Sequence, residues 1–364
     1  VGHSTLRLLS GADYAPNPPD SSMEKMKSLL KSALNAGCFG MTTGLEYTPG
    51  QFAGDEELIA LAKIVGQYKG LIMSHMRSED DEAIENSIRE LLQQGQYCNV
   101  HIAHLKVVYG KGIDRAEQVL QLINQPRESA FSITADLYPY TASYTGIGIV
   151  FPQWAKAPYN YDKVKASRRA ELLEFLRNKV ISRNGPEATL LGTAPYAGKT
   201  LAEVSREKGK AFEKVLLEDI GPTGASGAYF VMNEALQQRL LQDPKVMVCS
   251  DGSPTMRHPR GYGSFAKIIE TYVQEKQLFP LHEAIRKMTA LPAKTLGLKD
   301  RGTLKIGKKA DLLIFRPENV KAKATFVEPH LLAEGFDWVI INGKIALTEG
   351  KLQQARSGKL LRKE

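Results

Sequence analysis

The chain has 364 residues, 43% of them hydrophobic, which is ample for one large core or two. Its 48 Lys and Arg outnumber 40 Asp and Glu, giving a net charge of +8, but apart from the tail "RSGKLLRKE" the basic residues are scattered. No aromatic-interleaved basic stripe, membrane-length apolar run or secretory signal is visible, so no nucleic-acid and no membrane partner is expected.

In chain order, residues 1 to 7 ("VGHSTLR") read as a strand and "SSMEKMKSLLKSALNAG" as a Ser-capped helix ending in Gly. "CFGMTTGLEY" is short and β-rich, "DEELIALAKIVGQYKG" helical, and "GLIMSHMR" a strand. "DDEAIENSIRELLQQG" is a helix with acids in its first turn, "NVHIAHLKV" a strand, "IDRAEQVLQLINQ" a helix and "AFSITADLYPY" a strand. After an insertion over about 139–240, rich in Tyr, Pro and Gly at its start, come the strand "PKVMVCSDG" and the helical "FAKIIETYVQEK" and "LHEAIRKM". An insertion of this length at a strand's C-terminal end suits a lid, with a structural subdomain as the alternative. Residues 301–364 change character: short strands joined by turns, one at Asn342-Gly343, predict a small β-domain. Residues 1–300 thus hold six β-units alternating with helices, a parallel sheet covered on both faces. No Gly-rich phosphate loop follows any strand, so part of an eight-unit barrel competes well with an open doubly wound sheet.

His75, His104 and Asp251 each end a predicted strand, where a parallel barrel does its chemistry. Two imidazoles and a carboxylate suit a divalent metal, zinc first, which makes a nucleophile of water at neutral pH. Asp251 is the candidate to take the water's proton and pass it to a leaving nitrogen. Strand parity places Ile102, His104 and Lys106 on one face, and His101 on the other, toward the helices. Lys106 and Arg260 are cations able to hold a substrate carboxylate. His3 is expected in the first strand, without a role.

"GLEYTPGQFA", "SHMRSE", "AHLK", "DLYPYTAS", "CSDG", "HPRGYGSF", "KMTALPAKTLGLKDRGTLKIGKKADLLIF" and "INGK" together resemble the N-acyl-D-amino-acid deacylase (D-aminoacylase) branch of the amidohydrolase superfamily. The resemblance runs in order over nearly the whole chain. It implies an α/β fold: a (β/α)8 TIM-type barrel, of which strands three to eight are present, plus a small β-sandwich domain. It implies that His75 and His104 bind Zn2+, one ion or two, that Asp251 is the acid/base, and that Tyr47, Lys106, Tyr138 and Arg260 hold the α-carboxylate and help select the D enantiomer. The family's first two strands carry a His-X-His pair and a metal-binding cysteine. Neither has a counterpart in these residues, so further ligands are expected in N-terminal sequence that this chain lacks. Tyr144 stands where a small hydroxyl residue is expected.

The expected partner is a small molecule, an N-acyl-D-amino acid. A cyclic-amide amidohydrolase of the dihydroorotase or hydantoinase kind is the second enzyme reading; a non-catalytic scaffold is the reading from another class. Cys38, Cys98 and Cys249 show neither disulfide nor zinc-finger spacing, which favours the cytoplasm. The periplasm is the alternative, since Val1 is not an initiator Met.

Overall fold

The computed structural model describes residues 1–363. Twelve strands are present among them: β1 (Gly40–Gly44), β2 (Leu71–His75), β3 (Asn99–Ile102), β4 (Ile133–Leu137), β5 (Ala142–Gly146), β6 (Thr189–Leu191), β7 (Ser226–Phe230), β8 (Val246–Val248), β9 (Leu312–Phe315), β10 (Phe336–Ile341), β11 (Lys344–Thr348) and β12 (Lys351–Leu352). Five of them form a parallel sheet in the order β1-β2-β3-β4-β8. The helices Asp55–Gln67, Ile84–Gln94 and Gly112–Asn124 make the successive crossovers. This is the α/β barrel plan, and the antiparallel sheet β12-β11-β10-β9 follows it. No helix among the described residues is long and apolar enough to cross a membrane.

Residues 1–7 are not the strand their alternation suggests. Val1 and Gly2 alone hold that place: Thr42 N–H donates to the Val1 carbonyl at 2.9 Å and Gly2 bridges Thr42 in parallel. From His3 to Ser10 the chain is helical, with His3, Leu6, Arg7 and Ser10 on the buried side. That spacing of three to four residues is the helical period. The helix docks through charge: Glu57 meets His3 Nε2 at 2.6 Å and accepts from Arg7 Nη1 at 2.5 Å. All three are buried, so each needs the others to offset its lost hydration. His3 therefore has a structural role.

The sheet's two faces separate cleanly. Met41, Ile72, Val100, Ile102, Ala135, Leu137, Val246 and Val248 share one parity and join the apolar core with the helices. Thr42, Met73, His101, Thr134, Asp136 and Met247 share the other and line the barrel interior.

The insertion has a core of its own, including Ile147, Phe151, Leu172, Leu176, Leu191, Val204, Leu216 and Tyr229, around the sheet β5-β7-β6. In the C-terminal sheet the Asn342-Gly343 turn has φ of 49° and 77°, the left-handed pair that a two-residue hairpin requires.

Candidate active site

His75 is the last residue of β2 and has the interior parity. The next strand ends earlier than its apolar run suggests. β3 stops at Ile102, and the chain turns through His104, whose φ is 40°. Such a backbone is costly for a residue with a Cβ. Here it is pinned from both sides: the Asp136 carboxylate accepts from His104 N–H at 2.5 Å, and Leu105 N–H reaches the Asp136 carbonyl at 2.7 Å. The other Asp136 oxygen meets His101 Nε2 at 2.8 Å, and His101 Nδ1 meets Thr134 Oγ1 at 2.8 Å. His101 thus faces the interior, not the helices. Counting parity through to residue 106 fails because the turn at His104 resets it.

His75 Nδ1 and His104 Nε2 face each other at 3.0 Å. Each ring puts its far nitrogen on a carboxylate: His75 Nε2 on Glu46 at 2.9 Å, His104 Nδ1 on Glu79 at 3.1 Å. This is how ligating imidazoles are oriented, an inner nitrogen toward the ion and an outer one on an acid. Two nitrogens on one tetrahedral zinc, bonded at about 2.0–2.1 Å each, lie ~3.3 Å apart, so the pair fits such an ion with a small adjustment. Burial and the Lys106 ammonium push the His104 imidazole below its ordinary range, keeping it neutral as a ligand must be. Glu79 lies 3.9 Å from His75 Nδ1 and is the third member of the only metal-ligand cluster found among the described residues. Its closer contacts, to His104 Nδ1 and Lys106, make it an orienting partner rather than a ligand.

Sequence reasoning missed Glu79 and Glu46. The available signal was spacing: Glu79 lies four residues past His75 in "SHMRSE". Burial alone would raise the Glu79 carboxyl, but Lys106 and the two imidazoles outweigh it and hold the group well below the ordinary carboxylate range. Lys106 is buried, donates to Glu79 at 2.5 Å and lies 2.9 Å from His104 Nδ1. It is already engaged before any substrate arrives.

Asp251, φ 43°, follows β8 with the same left-handed turn as His104. Its carboxylate pairs with Arg260 Nη2 at 2.8 Å. Arg260 lies over the Tyr138 ring at 4.5 Å and extends a second contact, 3.3 Å, to the Tyr144 carbonyl. Arg260 Nε and the Tyr138 hydroxyl are both buried without a hydrogen-bond partner. Two orphan donors beside one another suit a carboxylate. His258 fixes this corner: it accepts from Arg260 N–H at 3.0 Å through Nδ1 and donates to the Ala142 carbonyl at 3.0 Å through Nε2. Burial, then Arg260, lower its pKa to about 3, so it stays neutral. Tyr47 packs against His75 with ring centroids 4.7 Å apart, and its hydroxyl meets Thr145 Oγ1 at 3.2 Å.

These groups line a cavity of about 230 Å³ that holds Glu46, Tyr47, His75, Glu79, His104, Lys106, Asp251 and Arg260. Tyr138 packs against the lining Arg260 with its hydroxyl buried. The insertion closes one side with Ser143, Tyr144, Thr145, Ile149 and Arg183. The Tyr144 phenol does not fill the space a small residue would leave. It reaches into the insertion's sheet, where its hydroxyl bonds Ser226 Oγ at 2.7 Å. Gly192 makes room: a Cβ there would stand 2.3 Å from that hydroxyl. Gly192→Ala is accordingly expected to displace Tyr144 and, through its carbonyl, Arg260. A misplacement near 1 Å costs up to about 100-fold in kcat/KM. Steady-state kinetics beside a melting curve check this; unchanged kinetics would disprove the wedge.

A model of the Amidohydrolase family matches residues 210–347. The chain is 32% identical to an N-acyl-D-glutamate deacylase of Alcaligenes xylosoxydans xylosoxydans, over 100% of this chain and 69% of that protein. It is 31% identical to a D-aminoacylase of the same organism, over 99% of this chain and 69% of that protein. Among solved structures, an N-acyl-D-glutamate deacylase from Bordetella bronchiseptica, complexed with zinc and a phosphonate mimic of the tetrahedral intermediate, superposes with a TM-score of 0.83 at 30% identity. That match covers 100% of this chain and 70% of the other.

Proposed function

The chain belongs to the N-acyl-D-amino-acid deacylase (D-aminoacylase) family of amidohydrolases, and from that membership we propose that it hydrolyses the amide bond of N-acyl-D-amino acids with zinc, releasing a carboxylate and a D-amino acid. The observation that carries this reading is the facing imidazole pair, each ring backed by a carboxylate, beside Asp251. His75 and His104 hold the ion. Zinc supplies Lewis acidity toward an acyl carbonyl and lowers the pKa of water from about 15.7 to about 7.

The chain's own residues do the rest. Glu46 and Glu79 orient the imidazoles. Asp251 takes the proton of the attacking water and returns it to the departing nitrogen, its carboxylate aimed by Arg260. Arg260 and Tyr138 receive the α-carboxylate through their unpartnered donors, while Lys106 and Tyr47 complete its surroundings. With a carboxylate fixed there and a carbonyl fixed at the imidazoles, the room left for the side chain as against the hydrogen selects one hand of the α-carbon. Residues 1–300 form the catalytic barrel in this reading, 139–240 the cover of the pocket, and 301–364 the β-domain. Cys38, Cys98 and Cys249 are all free, in keeping with the cytoplasm.

A substrate panel tests the proposal. The zinc-loaded protein is expected to release D-amino acids from N-acetyl-D-amino acids at least about 100-fold faster than L from their mirror images, since the wrong hand misplaces the amide. Hydrolysis of hydantoins or dihydroorotate instead would transfer the chain to the cyclic-amide reading. Failure to retain zinc would favour the scaffold.

A further inference from the structure

Three cations line the cavity: Lys106, Arg260 and Arg183. Two have acids of their own, Glu79 for Lys106 and Asp251 for Arg260. Arg183 has none among the described residues, although it is only 3% exposed. Its Nη1 donates to the Tyr109 hydroxyl at 3.2 Å, and its guanidinium lies 5.0 Å from the Tyr229 ring centroid and 5.9 Å from that of Tyr109. Nε is buried without a partner. Asp80, also in the wall, faces Lys179 at 3.6 Å instead.

A buried cation without a counter-charge is expensive. Here phenol and ring faces compensate in part, but none carries a full negative charge. The side chain is nonetheless held firmly in place. Arg183 follows the helix Arg169–Ser182; Asn184 and Gly185 then turn left-handed, φ 67° and 85°, and Asn184 Nδ2 ties the turn to the Phe230 carbonyl at 2.8 Å. A fixed, desolvated guanidinium on a cavity wall is built to receive an anion.

We propose that Arg183 is a specificity-determining residue, and that the substrate is an N-acyl-D-amino acid bearing a second carboxylate. This rests on the deacylase reading, in which Arg260 and Tyr138 already take the first. The second carboxylate has two possible sources, the amino acid's side chain or the far end of a dicarboxylic acyl group. In either place it supplies the counter-charge that Arg183 lacks.

The test is equilibrium binding to the zinc-loaded chain carrying D251N, which slows turnover of the ligands. N-acetyl-D-glutamate is compared with N-acetyl-D-glutamine, and N-succinyl-D-methionine with its terminal amide. One acid should bind about 10–100-fold more tightly than its own amide, the increment of a hydrogen bond to a charged group. The pair that discriminates identifies the source. Adding R183M should abolish that ratio while leaving the amide's affinity nearly unchanged. Equal binding of acid and amide in both pairs would overturn the proposal, as would R183M weakening acid and amide alike. Should R183M not fold, the ratio in the Arg183 chain and its reduction in R183K decide the matter. Hydrolysis of no N-acyl-D-amino acid by the chain with Asp251 intact would count against the deacylase reading itself. The acid-to-amide ratio judges Arg183 separately.

Discussion

His104→Asn is expected to strip the chain of its zinc and to lose more activity than any change to the residues around the imidazoles. Asparagine is the informative replacement because it tolerates the left-handed backbone at φ 40°, where alanine would add strain of its own. The Asp136 bond to the residue 104 amide survives, since it uses the backbone. What disappears is Nε2, 3.0 Å from His75 Nδ1. A lone imidazole cannot hold the ion as a pair does. Glu79→Gln gives the scale for comparison. It leaves both inner nitrogens in place and removes the charge that orients His104 and balances Lys106, so it should cost about 10–100-fold in zinc affinity or activity. Zinc content after dialysis, with affinity from chelator competition, measures both. Stoichiometric zinc in His104→Asn would remove this residue from the metal site. A larger loss in Glu79→Gln than in His104→Asn would make Glu79 the ligand.

Strand ends carried most of what could be read in advance. His75, His104 and Asp251 stand out because an apolar run meets a polar loop at each, and in a parallel barrel those places meet in space. Alternation was the weaker guide. It made a strand of residues 1–7, because "VGHSTLR" shows its helical period only once Leu6, Arg7 and Ser10 have Glu57 and the neighbouring helices to bury against. It put His101 on the wrong face, because nothing local announces that β3 stops at Ile102; the turn is fixed by Asp136, thirty-two residues further on. Glu46 and Arg183, and Glu79 apart from its spacing from His75, were hard to read for a related reason. A charged residue in a sequence is most often a solvated one. Glu79 becomes a partner of His104 only after two strands align, and Arg183 meets the cavity only after the insertion folds back on the barrel. Tyr144 was visible as a misfit, but the glycine that accommodates it lies forty-eight residues away.

Asp251→Asn should leave zinc bound and reduce kcat by about 10²–10⁴, the usual worth of a positioned acid/base. The substitution keeps the side chain's size and, as at His104, suits the left-handed backbone, here φ 43°. The amide oxygen can still accept from Arg260 Nη2, so the guanidinium keeps its place under the Tyr144 carbonyl. Recognition of the α-carboxylate then changes little, and KM should hold nearly steady or fall, because an anion competing for Arg260 has gone. What the amide cannot do is accept the water's proton and deliver it to nitrogen. That separation of kcat from KM distinguishes a proton carrier from a residue that merely anchors Arg260. For an anchor, KM would rise while kcat survived, and Arg260→Lys would reproduce the effect. Leaving-group dependence sharpens the distinction. With an activated acyl donor, whose leaving group needs no proton, the defect of Asp251→Asn should shrink, since only the removal of the water's proton is still lost. A defect of the same size for both donors would restrict Asp251 to the water side of the reaction, and full activity of Asp251→Asn would exclude it from the chemistry.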